Sequence, residues 1–110
     1  MLNMATVPTF KVITDNSNAA SGTSLQGYIP TTYSRLVEKF GEPRRTCGDG
    51  KVTAEWILEF EDQIVATIYD WKNNETPEGL YRWHVGGRSF NAVMLAAMAL
   101  GVKQFDRFLF

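Results

Sequence analysis

A single cysteine, Cys47, stands in the whole chain, so no internal disulfide can form and no cysteine-based zinc site can be built. A lone thiol suits a reducing compartment. An excess of charge is also lacking: 11 basic residues face 12 acidic ones, for a net charge of −1. Nonspecific binding to a phosphate backbone needs a basic surface, and a mimic of DNA needs a heavy acidic excess. Neither is present, which disfavours a nucleic-acid partner. Long hydrophobic runs are missing as well. The longest uncharged apolar run, Ser89 to Val102, is too short for a membrane helix of about 20 residues. Met1 to Phe10 is broken up by Asn3, Thr6, Pro8 and Thr9 and lacks the basic-then-apolar order of a secretory signal. The expectation is a cytoplasmic protein that makes no membrane contact.

What is present describes one domain. Apolar residues make up 45% of the 110 positions and charged ones 21%, enough for one core but not for two. Phe10 to Thr14 can form a first strand, and Asp15 to Gly27, rich in Asn, Ser, Ala, Thr and Gly, reads as a mobile loop. The expected division is therefore an N-terminal strand and flexible loop over 1–27 and a core over 28–110, within a single domain.

Thr31 or Thr32 can cap a helix running to Phe40, because Tyr33, Leu36, Val37 and Phe40 fall on one face. Gly41 supplies the stop, with Pro43 beyond it. Val52, Ala54, Trp56, Leu58 and Phe60 then alternate with more polar neighbours, the period of a strand with one buried face. Glu61-Asp62-Gln63 marks a turn, and Ile64 to Trp71 the returning strand. A two-residue loop would put Val65, Thr67, Tyr69 and Trp71 on the face of Trp56. A three-residue loop would put Ile64, Ala66 and Ile68 there instead.

Leu80 to Val85 reads as another strand, and Ser89 caps a final helix that Gly101 ends. Phe90, Val93, Met94 and Ala97 make one stripe of that helix, but Leu95, Met98 and Leu100 leave almost no polar face. Such a helix needs cover, either from the aromatic tail folding back or from another subunit. Leu95, Met98, Phe105, Phe108 and Phe110 are accordingly the candidate partner or oligomer surface. The expected fold is α+β, in the order β-α-β-β-β-α, with an antiparallel sheet carrying both helices on one face.

The candidate ligand site is His84 with the turn Gly86-Gly87-Arg88-Ser89. A helix N-terminus, a guanidinium and a hydroxyl there could clasp a phosphate or carboxylate, with Trp83 or Tyr81 stacking on a base. The plainer reading is that glycine allows a tight turn and close packing while Ser89 only caps. Trp56, Tyr69, Trp71, Tyr81 and Trp83 could stack bases on a sheet face or simply fill the core. Glu55 and Glu59 share a strand face and could hold a divalent cation, but solvated strand faces carry such residues routinely. Cys47 and His84 are flanked by no catalytic motif. The expectation is no enzyme, no metal and no cofactor.

Two resemblances bear on function. The helix, three strands and helix over Thr31 to Leu100 resemble a double-stranded-RNA-binding domain, with Gly87-Arg88-Ser89 echoing its turn and Ala92, Ala96 and Ala97 its alanine-rich helix. Where that family carries lysines this chain has Phe90, Asn91 and Val93, and Arg88 is the remaining cation. Gly27-Tyr28-Ile29-Pro30-Thr31-Thr32-Tyr33, Ala54 to Phe60, Ala66 to Trp71 and Trp83 to Ser89 are similar to small proteins of tailed phages. That resemblance implies a non-enzymatic protein that binds and inhibits a host factor, such as a defence target, with a host protein as partner and a homo-oligomer as its state. Two alternatives remain: a trap for a nucleotide or phosphate ligand, and a nucleic-acid-binding module.

Overall fold

The structure, a computed structural model, describes residues 7–15, 18–45 and 50–108. Six strands and two helices follow one another as β1 (Phe10–Ile13), β2 (Ser24–Thr31), α1 (Tyr33–Phe40), β3 (Glu55–Phe60), β4 (Val65–Tyr69), β5 (Tyr81–Gly87), α2 (Asn91–Leu100) and β6 (Asp106–Arg107). The strands form one sheet in the order β1-β3-β4-β5-β2-β6. Every neighbouring pair is antiparallel. The fold is α+β, as the pattern of the sequence predicts.

One core lies between the sheet and the helices. Leu36 and Phe40 of α1, together with Ala92, Val93, Ala96, Ala97 and Leu100 of α2, pack on Ile29, Trp56, Leu58, Ile68, Trp83 and Val85. Thr32 caps α1, its hydroxyl accepting from the Arg35 amide at 3.2 Å. Gly41 ends that helix at φ 85°, a conformation that glycine adopts without strain. The Trp56 indole N–H then donates to the Gly41 carbonyl at 2.8 Å, which joins the helix end to the sheet.

The hairpin between β3 and β4 takes the three-residue option. Glu61–Gln63 forms a tight three-residue turn in which Asp62 and Gln63 take positive φ, 62° and 61°, closed by the Phe60 amide donating to the Ile64 carbonyl at 2.7 Å. Trp56 then lies opposite Ile68 and Leu58 opposite Ala66. Tyr69 is thereby turned to the other face.

Two expectations need correction. The stretch read as a loop over Asp15 to Gly27 contains the first half of β2, so a boundary at 27 would cut a strand. Ser24, Gln26, Gly27 and Pro30 hide that strand, since none is a good strand former. β2 holds because β5 pairs it along its whole length and β6 pairs Gly27 and Tyr28 on the other side. Pro30 lies where β6 no longer reaches. Gly27 is required because a Cβ there would run into the Asp106 carbonyl oxygen of β6.

The second correction concerns α2, which begins at Asn91 with Phe90 in the cap position rather than Ser89. Its far end matches, with Gly101 in the left-handed region at φ 84°. The tail folds back in part, since β6 joins the sheet edge and Phe105 packs on Phe90 with ring centroids 5.8 Å apart. Leu95 and Phe105 are half-buried against the core. Met94 and Met98 stay exposed, at 42% and 49%. Phe108 packs beside Tyr28, and Phe110 lies outside the described residues.

Candidate functional site

The strand order dictates what happens on the face away from the helices. To pass from β1 at one edge to β2 near the other, the chain must cross β3, β4 and β5. Ala20 and Thr23 of this crossing segment border Thr67 and Gly86 on that face. Ile57, Val65 and Thr67 are buried there, at 1%, 5% and 3% exposure, although they point away from both helices.

The rest of the face is open, and one row of paired residues runs across it. Glu55 lies opposite Tyr69, Tyr69 opposite His84, His84 opposite Tyr28, and Tyr28 opposite Asp106. Five strands contribute one residue each. The His84 ring lies 5.1 Å from Tyr28 and 5.4 Å from Tyr69, centroid to centroid. Trp71 adds a wall at 77° to Tyr69, with 41% of its surface exposed. Leu25, Tyr28, Tyr69, Trp71 and His84 line an open recess of about 470 Å³.

Its rim is braced from below. Asp70 is fully buried, and its Oδ1 accepts from the amides of Thr53 at 2.8 Å and Ala54 at 3.0 Å. Its Oδ2 accepts from the Thr53 hydroxyl at 2.6 Å and from Asn73 at 3.3 Å. Burial pushes the Asp70 carboxyl up, but these donors together outweigh it and hold the group below its ordinary value. The Trp71 amide donates to the Tyr81 hydroxyl at 3.2 Å, which fixes the chain that carries the indole.

Burial holds the His84 ring below its ordinary value, the adjacent Arg82 adds to this, and Asp70 opposes it. The His84 Nδ1 is buried without a partner, and its ring lines the recess. Burial likewise raises Tyr69, helped by Glu55 and Tyr28, so its phenol keeps its proton. The Arg82 guanidinium lies over the Tyr28 ring at 3.9 Å and pairs with Asp106 at 3.3 Å.

The residues grouped with the glycine turn do not come together. His84 opens on the aromatic recess, whereas Arg88 and Ser89 lie at the start of α2 beside Asp62 and Gln63. Gly86 and Gly87 belong to β5 itself. A Cβ on Gly87 would strike the Ala92 side chain, so this glycine brings α2 close to the sheet. Arg88 donates to the Ser21 carbonyl at 2.7 Å. The amides of the first turn are taken within the chain: Asn91 by the Ser89 hydroxyl, Ala92 by the Ser89 carbonyl and Val93 by the Phe90 carbonyl.

No family model, curated protein or solved structure matches this chain. The comparisons thus support neither the tailed-phage resemblance nor the double-stranded-RNA-binding one, and the site rests on its own geometry.

The aromatic set divides by face. Trp56 and Trp83 fill the core, 5.5 Å apart and edge to face, which removes Trp83 as a stacking platform. Tyr69 and Trp71 belong to the open recess, and Tyr28 joins them unforeseen. Its signal in the sequence, a tyrosine between Gly27 and Pro30, does not read as a strand. Glu59 pairs with Lys11 at 3.3 Å and Glu55 with Arg44 at 3.9 Å, so each carboxylate already faces a cation. Among the described residues no group of three His, Cys, Asp or Glu side chains could hold a metal. Cys47 lies outside the described residues. No helix among them is long and apolar enough to cross a membrane.

Proposed function

We propose that this chain acts by binding a target on the aromatic end of the open sheet face, without catalysing a reaction on it. The observation that carries this reading is the cross-strand row from Glu55 to Asp106, with three central rings beside the exposed Trp71. Half-buried aromatic rings beside an exposed indole, within a rim of charged pairs, have the usual composition of a recognition surface. Blocking of a host factor by a phage-type protein is the form of this reading that the sequence resemblance brings, and it is proposed on that basis.

The test is affinity capture from a bacterial lysate with the wild-type chain and Trp71→Ala, with captured species identified by mass spectrometry. A target held by the wild type and lost by Trp71→Ala is the expected result. A target retained by Trp71→Ala but lost by Met94→Glu with Met98→Glu would move recognition to α2 and overturn the proposal. Self-association through Met94 and Met98 is a second reading, favoured by their exposure on an otherwise packed helix. The mass of the purified protein in solution reads it directly.

A further inference from the structure

We propose that the recess beside His84 seats a planar, uncharged heteroaromatic ring, the chemical class to which the nucleobases belong. This inference rests on the reading of the open face as the target site and names the group that enters it.

Shape is the first argument. Tyr69 and Trp71 stand nearly perpendicular, at 77°, so a guest that lies flat on one ring turns its edge toward the other. A recess of about 470 Å³ open on one side accepts a fused bicyclic ring edgewise. Stacking of a base on aromatic side chains tolerates many ring types, because every base offers a π-face.

Charge is the second. Aromatic walls of this kind otherwise suit a cation, but here the chain supplies its own. The Arg82 guanidinium covers Tyr28 at 3.9 Å, and the Lys51 ammonium lies 5.8 Å from the centre of the Trp71 ring. A further cation would meet both. An anion gains little either, since the charges at the two ends of the row are already matched, Glu55 by Arg44 at 3.9 Å and Asp106 by Arg82 at 3.3 Å. The guest favoured by both ends is uncharged where it enters.

Hydrogen bonding is the third. His84 lines the recess with its Nδ1 buried and unpartnered, and its imidazole can give or take a hydrogen bond with a guest there. The Tyr69 phenol, which keeps its proton, adds a donor beside it. A ring with acceptor nitrogens or carbonyls on its edge satisfies them, whereas a hydrocarbon ring leaves them unpaired.

The test is calorimetric titration of the full chain with adenosine, guanosine, cytidine and uridine. Their monophosphates, a short single-stranded oligonucleotide and tetramethylammonium are titrated alongside. At least one nucleoside is expected to bind, its monophosphate no more tightly, and Trp71→Ala to weaken binding roughly tenfold or more. Trp71 is an exposed rim residue, so that variant should fold, and a melting curve checks it. Tyr69→Phe, which keeps the ring, should bind and lose only the donor's share. A stronger signal from the oligonucleotide places the ring in a nucleic-acid strand, and equal signals place it in a free nucleoside.

Binding of tetramethylammonium in place of every nucleoside would overturn the ring assignment, as would no binding by any ring. If Trp71→Ala still loses a captured target in that event, the docking face stands and only the ring class falls. If it loses nothing, both fall.

Discussion

The Arg88 guanidinium donates to the Ser21 carbonyl at 2.7 Å, across 67 positions of sequence. The most conspicuous cation of the glycine turn is therefore a clasp on the segment that crosses the sheet. It holds that segment near Gly22, whose backbone sits at φ 82° beside the same guanidinium. Arg88→Ala is expected to cost about 0.5–1.5 kcal/mol, the net worth of one such bond. Faster amide exchange confined to residues 18–23 is the diagnostic result. Global unfolding at unchanged local exchange would contradict it.

Gly87→Ala should destabilise by about 1–3 kcal/mol, the usual penalty of overpacking, because the new methyl meets Ala92. Gly79→Ala is the control. Nothing lies within 4 Å of a Cβ there, so its melting temperature should hold or rise slightly. Denaturant midpoints of the two variants decide the matter.

Asp70→Ala removes the acceptor of four donors and should cost roughly 2–4 kcal/mol, since buried donors left unpaired carry their full desolvation penalty. The pH dependence has a definite sign. The folded carboxyl titrates below its ordinary 3.8, so its contribution is complete above that value. It is lost as pH falls further, through the folded value. Acid melts of wild type and variant should converge in that range.

His84→Phe tests the histidine's contribution. The folded ring titrates below its ordinary 6.5, so between the two values the unfolded chain binds more protons. Stability is then full above 6.5 and declines as pH falls beneath it. The groups facing the ring or its strand are Arg82, Tyr28, Tyr69 and Tyr81, with Asp70 more remote. His84→Phe should flatten this decline and leave stability at pH 8 nearly unchanged. A slope that persists in the variant would assign it elsewhere.

Much of the scaffold is legible in the sequence, because local chemistry specifies it. The Thr32 cap, the Gly41 and Gly101 stops and the Glu61–Gln63 turn each depend on a few adjacent residues. β2 is not legible, because Gly27 and Pro30 weaken its propensity and its stability comes from partners 50 or more positions away. The site is hidden for the same reason. Glu55, Tyr69, His84, Tyr28 and Asp106 share no motif and become neighbours only through sheet register. A period of two shows that Tyr69 and Trp71 share a strand face, but the loop length at Glu61–Gln63 decides which face that is.

The place of β2 in the sheet has a consequence for biosynthesis. Its residues 24–31 leave the ribosome well before both neighbours, since β5 begins 50 positions after β2 ends and β6 comes later still. Until they emerge, β2 offers two unpaired edges, and the hairpin of β3 and β4 can close without it. Slow, non-local pairing of this kind sets the folding rate and exposes the nascent chain to aggregation. A ribosome-stalled chain ending before Tyr81 should leave β2 open to proteolysis, and extension beyond Arg107 should protect it. The recognition row would thus form after the β3–β4 hairpin, and only once Asp106 of β6 has been made.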